Sequence, residues 1–222
     1  MVERADGRRA GRERLGPGGA VEIEYKWELP HDADLSDSSV LEELVAPHVR
    51  GMRDVEMDAV YYDADDGYCS AARLGLRLRR EGGVSVVCLK APVREGGVSV
   101  REEYEVVADD IRTGVELLAE AGAPADVCRK LSASTLVPLC ETRFTRRVRS
   151  LQVAGEDGSF SAELSIDVGA LFHEGRERPL REVELEYGEG SLDAFHAFAG
   201  RLEGALGLLR QPLSKLAQAL AV

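Results

Sequence analysis

The sequence predicts an α+β protein: a closed, eight-stranded antiparallel β-barrel with helices packed outside. Three observations predict it. About seven or eight stretches have strand character, and most are joined by turns, which implies antiparallel pairing. Several of these strands carry charge at alternate positions with apolar residues between, as in Glu22-Ile23-Glu24-Tyr25-Lys26 and Leu76-Arg77-Leu78-Arg79. The chain ends in helix, where Leu192, Phe195, Phe198, Ala199 and Leu202 fall at helical spacing and give an apolar face that can cover a sheet from outside.

Composition sets the bounds. The 222 residues suit one domain or two small ones, and an apolar fraction of 44% supports a real core. No run approaches the roughly 18 apolar residues of a membrane span, so no membrane partner is expected. The N-terminus has no signal-peptide core, and a cytoplasmic protein is expected. The four cysteines, Cys69, Cys88, Cys128 and Cys140, form no C-x-x-C pair and indicate neither zinc nor a redox motif. A net charge of −12 argues against a nucleic-acid partner but leaves room for a locally basic cavity that takes a small polyanion.

In chain order, residues 1–19 are rich in Arg, Gly and Glu and read as a disordered tail, leaving 20–222 as the folded domain. The first strand covers about Ala20 to Leu29 and stops at Pro30. Asp37-Ser38-Ser39 caps a short helix to about Val45, closed by Pro47. A strand from about Met52 to Tyr62 leads into an acidic loop, Asp63 to Gly67, which lacks the spacing and closing Glu of a calcium-binding EF-hand. A meander follows: Leu74 to Arg80, the turn Gly82-Gly83, Val84 to Lys90, a loop over Ala91 to Gly97, and Val98 to Val107. The heptapeptide Arg-Glu-Gly-Gly-Val-Ser-Val occurs at 80–86 and again at 94–100, marking two similar turn-to-strand transitions. Helices are expected over about 110–122, ended by Gly122 and Pro124, and over about 124–132. Strands over about Glu141 to Val153, Ser159 to Val168 and Arg181 to Tyr187 come next, the first two joined at Gly155-Glu156-Asp157-Gly158. Helix over about 191–206 and 212–221 ends the chain.

Alternate side chains on a strand share a face. A single Glu-x-Glu or Arg-x-Arg is ordinarily a solvated face. Here the pattern recurs at 22/24/26, 77/79, 101/103/105, 163/165/167 and 182/184/186. The Leu, Ile and Val between these charges need a core. If the sheet closes and helices cover it, that core lies outside the barrel and the charges point inward. Inward cations are costly to desolvate unless acids or a bound polyanion pair with them. The basic set is Lys26, Arg77, Arg79, Lys90, Arg101, Arg143 and Lys215. The acidic set is Glu22, Glu24, Glu103, Glu105, Asp167, Glu182 and Glu184, hard oxygen donors suited to Mg²⁺ or Mn²⁺.

These residues resemble the CYTH superfamily, the triphosphate tunnel metalloenzymes, over almost the whole chain from about residue 20. Glu22-x-Glu24-x-Lys26 resembles the family's E-x-E-x-K signature, and Tyr61-Tyr62-Asp63, Leu76-Arg77-Leu78-Arg79, Leu89-Lys90 and Glu103-Tyr104-Glu105 resemble its later motifs in order. Glu141-Thr142-Arg143-Phe144 resembles the Thr-Arg-Phe of bacterial inorganic triphosphatases, and Glu182-Val183-Glu184 and Ser214-Lys215 complete the series.

The resemblance implies an eight-stranded tunnel that binds a triphosphate, tripolyphosphate or a related one, and cleaves its terminal phosphoanhydride with Mg²⁺ or Mn²⁺. By position, Glu22, Glu24, Asp167, Glu182 and Glu184 would hold metal, with Glu103 and Glu105 as further acids. Lys26, Arg77, Arg79, Lys90, Arg143 and Lys215 would grip phosphate oxygens, with Arg101 a further contact. Lys26 beside Tyr61 is the candidate for orienting or deprotonating the attacking water. Two positions depart from the family's patterns. Glu141 stands where some triphosphatases carry Lys, so that one phosphate contact would be missing or replaced by Arg101 or Arg146. Gly75 stands where mammalian-type thiamine triphosphatases carry a Trp that can stack on thiamine. The alternatives are a class IV adenylate cyclase and a non-catalytic polyphosphate-binding module.

Overall fold

A computed structural model describes residues 20–29, 35, 38–92, 99–155 and 158–221. The expected tail over 1–19, the stop at Pro30, most of the loop after Ala91 with the second heptapeptide copy, and the turn centre at 156–157 lie outside the described residues. The elements are β1 (Ala20–Glu28), α1 (Ser39–Val45), β2 (Val49–Ala64), α2 (Tyr68–Ala71), β3 (Gly75–Glu81), β4 (Val84–Pro92), β5 (Ser99–Val107), α3 (Ile111–Glu120), α4 (Ala125–Ala133), β6 (Leu136–Gly155), β7 (Gly158–His173), β8 (Arg176–Gly190), α5 (Leu192–Leu206), β9 (Leu209–Arg210) and α6 (Lys215–Leu220). The short α2 and two-residue β9 add to the expected elements, and β2, β6, β7 and β8 extend beyond the expected strands.

The strands pair antiparallel in the order β5-β4-β3-β2-β6-β7-β8-β1, and β1 pairs β5 to close an eight-stranded barrel, with β9 added beside β1. Tight turns set the registers. Gly82 and Gly83 join β3 to β4, and Glu174 and Gly175 join β7 to β8. All four have positive φ, the pattern of a type I′ turn whose twist matches the strands it joins. Helices start on polar caps: Ser38, Asp110, Ser191 and Ser214 each accept a backbone N–H of the first turn.

Two hydrophobic cores lie outside the barrel. One packs Trp27, Leu164, Val183 and Leu185 of the β1–β7–β8 wall under Leu41 and Val45 of α1 and Phe195, Phe198 and Leu202 of α5. Another packs Leu76, Val87, Leu89 and Tyr104 of the β3–β4–β5 wall under Val115 and Leu118 of α3 and Leu131 of α4. Ile23 and Tyr25 pack against the first core, as their parity predicts. Since both cores take the apolar parity of these strands, the charged parity faces the barrel interior. The middle of the outer face of β2 and β6 is uncovered among the described residues: Asp54, Glu56, Asp58, Arg143 and Arg147 are all exposed there. A third apolar cluster, with Met57, Phe144, Leu171 and Leu180, receives α6 through Leu216 and Ala219. No helix among the described residues is long and apolar enough to cross a membrane.

Candidate active site

The barrel encloses a cavity of about 600 Å³. Its polar wall comes directly from the registers. Lys26 pairs Glu184, Glu184 pairs Ser165, Glu182 pairs Asp167, and Asp167 pairs Arg146. On the other arc Arg77 pairs Tyr61 and Cys88, Lys90 pairs Glu103, and Arg101 pairs Glu22. Paired positions share a side, so all of these converge on the interior.

Of the residues expected to form the site, Glu22, Glu24, Lys26, Tyr61, Arg77, Arg79, Lys90, Arg101, Glu184 and Lys215 line the cavity. Glu103, Glu105, Asp167 and Glu182 do not border it and are held in ion pairs behind that lining. Arg143 does not join them. Its side chain is 61% exposed, and it pairs with Glu141 at 2.6 Å on the outer face. The expectation that it grips phosphate is corrected: strand parity turns it outward with Glu141, so the Glu141 departure does not touch the tunnel. Arg146 is the inward arginine of β6. Tyr61 is not beside Lys26 either. From β1 to β2 is four steps around the barrel in either direction (β8, β7, β6, β2 or β5, β4, β3, β2), so the two residues sit on opposite walls. Tyr61 Oη instead accepts from Arg77 Nη1 at 3.3 Å.

Sequence reasoning also passed over Thr142 and Phe144, which line the cavity, and Gln218, whose Nε2 donates to Glu182 Oε1 at 2.5 Å. A signal existed for β6. Within 141–148 the apolar Phe144 and Val148 share parity with Arg146, whereas the opposite parity holds only Glu141, Arg143, Thr145 and Arg147.

Charge is balanced unevenly around the cavity. Lys215 is 7% exposed, and its Nζ lies 2.9, 2.7 and 2.6 Å from Asp167, Glu182 and Glu184. Arg146 donates from Nε and Nη2 to Asp167 at 2.8 and 2.7 Å, and from Nη2 to Glu184 at 2.5 Å. Burial works to raise the Glu184 carboxyl, but Lys215, Arg146 and Lys26 outweigh it and hold it well below the usual range. On the opposite arc Lys90 donates to Glu22 at 2.6 and 2.8 Å, and Arg77 and Arg79 meet Glu103 and Glu105 at 3.3 and 2.9 Å. Cys88 donates to Glu103 at 3.0 Å, and burial followed by the Glu103 charge pushes its thiol up to about 12. Glu24 is different. Its nearest cation in ion-pair range, Lys26, lies 3.9 Å away. Burial, with the charges of Glu22 and Glu184, pushes its carboxyl up to about 7.

A CYTH domain family model matches residues 20–219. The chain belongs to the CYTH family. It is 25% identical over 143 residues to the inorganic triphosphatase of Haemophilus influenzae, a match that covers 64% of this chain and 39% of that protein. The CYTH fold recurs in a Hippeastrum protein described as a putative adenylyl cyclase with a dominant triphosphatase activity (TM-score 0.56, 20% identity, 90% of this chain and 95% of that one). It recurs in a Pyrococcus horikoshii protein as well (TM-score 0.50, 19% identity, 90% and 98%).

The CYTH family implies a divalent cation, and the described residues gather three carboxylates at one place. Asp167, Glu182 and Glu184 offer carboxylate oxygens within 4.8 Å of one another, but Lys215 and Arg146 already balance them. Glu22, Glu24 and Glu184 also border the cavity; burial, followed by the charges of Glu22 and Glu184, raises the Glu24 carboxyl, and a cation there would relieve that repulsion. Hard oxygen donors of this kind suit Mg²⁺ or Mn²⁺.

Proposed function

We propose that this CYTH protein is a metal-dependent triphosphatase that hydrolyses the terminal phosphoanhydride of tripolyphosphate or a related triphosphate. We take the tunnel domain, residues 20–222, as its working unit, acting in the cytoplasm; four buried free cysteines suit a reducing compartment. One observation carries the reading. Cations from β3, β4 and β5 (Arg77, Arg79, Lys90, Arg101) and acids from β1 and β8 (Glu22, Glu24, Glu184) line one cavity, with Glu22 held by Lys90 where the two sets meet. A phosphate chain laid along the first set presents its oxygens to the second only through a cation, the combination that phosphoryl transfer requires and simple anion binding does not.

Bound at Glu22, Glu24 and Glu184, Mg²⁺ or Mn²⁺ supplies Lewis-acid neutralisation of phosphoryl oxygens. The chain's own residues do the rest. Arg77, Arg79, Lys90 and Arg101 bind and orient the triphosphate. Arg146 and Lys215 reach the cavity from the opposite side and stabilise the charge that builds on the transferred group. Lys26, on the acid wall and 3.9 Å from Glu24, orients the attacking water and takes its proton, while Tyr61 holds Arg77 in place from the adjacent strand.

Release of phosphate from tripolyphosphate with Mg²⁺ or Mn²⁺, at a higher kcat/KM than with ATP, tests this. Loss of activity in Glu24→Gln supports it, and unimpaired turnover in that variant overturns it. The apolar part of the cavity wall, including Tyr62, Leu74, Leu139, Leu213 and Leu216, favours an organic triphosphate as a second reading. Analysis of the ATP product separates hydrolysis from cyclisation, and tight binding without turnover across several metals would instead mark a binding module.

A further inference from the structure

The Thr-Arg-Phe segment of β6 turns its arginine to solvent and its threonine into the tunnel. Thr142 is 1% exposed and lines the cavity, yet its Oγ1 is buried with no hydrogen-bond partner among the described residues. A buried hydroxyl without a partner costs free energy that replacement by a methyl of the same shape would remove. Such a group calls for a cause. The hydroxyl cannot be serving the sheet, because the ladder is made by backbone atoms, and its neighbours across the wall are apolar: Ala59 on β2 and Leu171 on β7. Beyond Ala59, in the same row, stands Arg79. Along β6 the inward positions run Thr142, Phe144, Arg146, and the cations of Arg146 and Lys215 lie over the Phe144 ring at 5.7 and 5.4 Å from its centroid. Thr142 therefore shares a cross-strand row with Arg79 and an inward parity with Arg146, and all three border the same cavity as Lys215.

We propose that Thr142 is a substrate-binding residue whose hydroxyl donates a hydrogen bond to a non-bridging phosphoryl oxygen of the bound triphosphate. The inference rests on the triphosphatase reading, but the two can fail separately. The unpartnered hydroxyl is a site for an acceptor, and among ligands held by surrounding arginines and lysines that acceptor is an anionic oxygen. The contact is made to the ligand's phosphate chain, so it serves inorganic and organic triphosphates alike.

The test compares full-length wild type, Thr142→Val and Thr142→Ser by calorimetric titration with tripolyphosphate in EDTA, by ligand-free melting, and by steady-state kinetics with Mg²⁺. Valine keeps the shape and deletes the hydroxyl. It should melt at or above the wild-type temperature without ligand while binding tripolyphosphate about tenfold more weakly, as expected for one lost charge-assisted hydrogen bond. Its KM should rise by a similar factor with kcat within about twofold, and serine should restore affinity. Equal affinity of wild type and T142V overturns the inference alone. If the wild type neither binds nor hydrolyses tripolyphosphate with Mg²⁺ present, the triphosphatase reading is overturned with it. Weaker binding in both T142V and T142S, with lowered melting temperatures, would assign Thr142 a packing role and also overturn it.

Discussion

Replacing Lys215 with Met tests the charge balance at the heart of the tunnel. The Lys215 ammonium is 7% exposed and lies within 2.9 Å of three carboxylates, of which Asp167 and Glu182 are almost fully buried. Methionine fills much the same volume without charge. Arg146 then remains as the close cation on Asp167 and Glu184, and Glu182 keeps its hydrogen bond from Gln218. Removing one partner from a buried ion cluster costs about 3–5 kcal/mol, because the remaining charge stays desolvated. For a domain of this size that is a fall in Tm of roughly 6–20 °C. The vacated position lies among carboxylate oxygens within 4.8 Å of one another, which suits a divalent ion. Mn²⁺ should therefore restore the lost stability in the variant, by ~2.7 kcal/mol at about a hundred times its Kd, and raise the wild-type Tm less. Thermal melts of both proteins in EDTA and across a Mn²⁺ series read this directly, with far-UV circular dichroism to verify the fold. If K215M melts with the wild type in EDTA, the ammonium is not what balances the triad. If it melts lower but gains no more from Mn²⁺ than the wild type, the triad is not a cation site.

Three further outcomes are expected. Arg146→Gln should lower kcat/KM for tripolyphosphate at least ~100-fold, the usual loss of one preorganised charge donor, whereas Arg143→Gln on the outer face should stay within about twofold. Asp63 accepts from the backbone N–H groups of Ala64, Cys69 and Ser70 and from Ser70 Oγ; burial works to raise its carboxyl, but these bonds, led by Ser70, lower it below its ordinary 3.8. A depressed acid adds stability that is full above its unfolded value and lost as pH falls through the folded one, so Asp63→Asn should cost about 1.5–3 kcal/mol by urea melts at pH 7 and progressively less below about pH 4. Gly114→Ala on α3 would place its Cβ 2.2 Å from Val87 Cγ2. The clash should outweigh the ~1 kcal/mol gain in helix propensity and destabilise by about 1–3 kcal/mol, with Val87→Ala in the same chain recovering part of it in denaturant melts.

How far the sequence specified this tunnel depends on what lies outside each wall. On β1, β3, β5 and β8 the apolar residues beside the charges include Ile23, Tyr25, Leu76, Leu78, Tyr104, Val183 and Leu185, and each of these packs into or against an external core. Burial of one parity there forces the other inward, so Glu22, Arg77, Glu103 and Glu184 were legible from alternation alone. Over its middle, from Asp54 to Asp58 and Glu141 to Arg147, the β2–β6 wall has no helix outside it among the described residues. Its outer face is itself charged, with Asp54 opposite Arg147 and Asp58 opposite Arg143. Opposite charges facing each other on a solvated sheet are ordinary cross-strand pairs. Polarity consequently occupies both parities of β6, and a charged residue there carries no information about which way it points. The solvated reading, wrong for the other strands, is right for Glu141 and Arg143. What fixes the phase of β6 is its register on β7, where Arg146 meets Asp167, and β7 is itself phased by Leu164 and Ile166 in the outer core. The same logic explains Lys215. No periodicity of a six-residue helix announces that its first side chain enters the barrel; only the family resemblance of Ser214-Lys215 pointed inward. The structure gives the physical reason: three inward carboxylates from β7 and β8 need a second cation beside Arg146, and α6 delivers it. Charge alternation thus becomes evidence for an interior site only where the opposite parity has a core to bury it, and on an uncovered wall the assignment has to pass from a strand already phased.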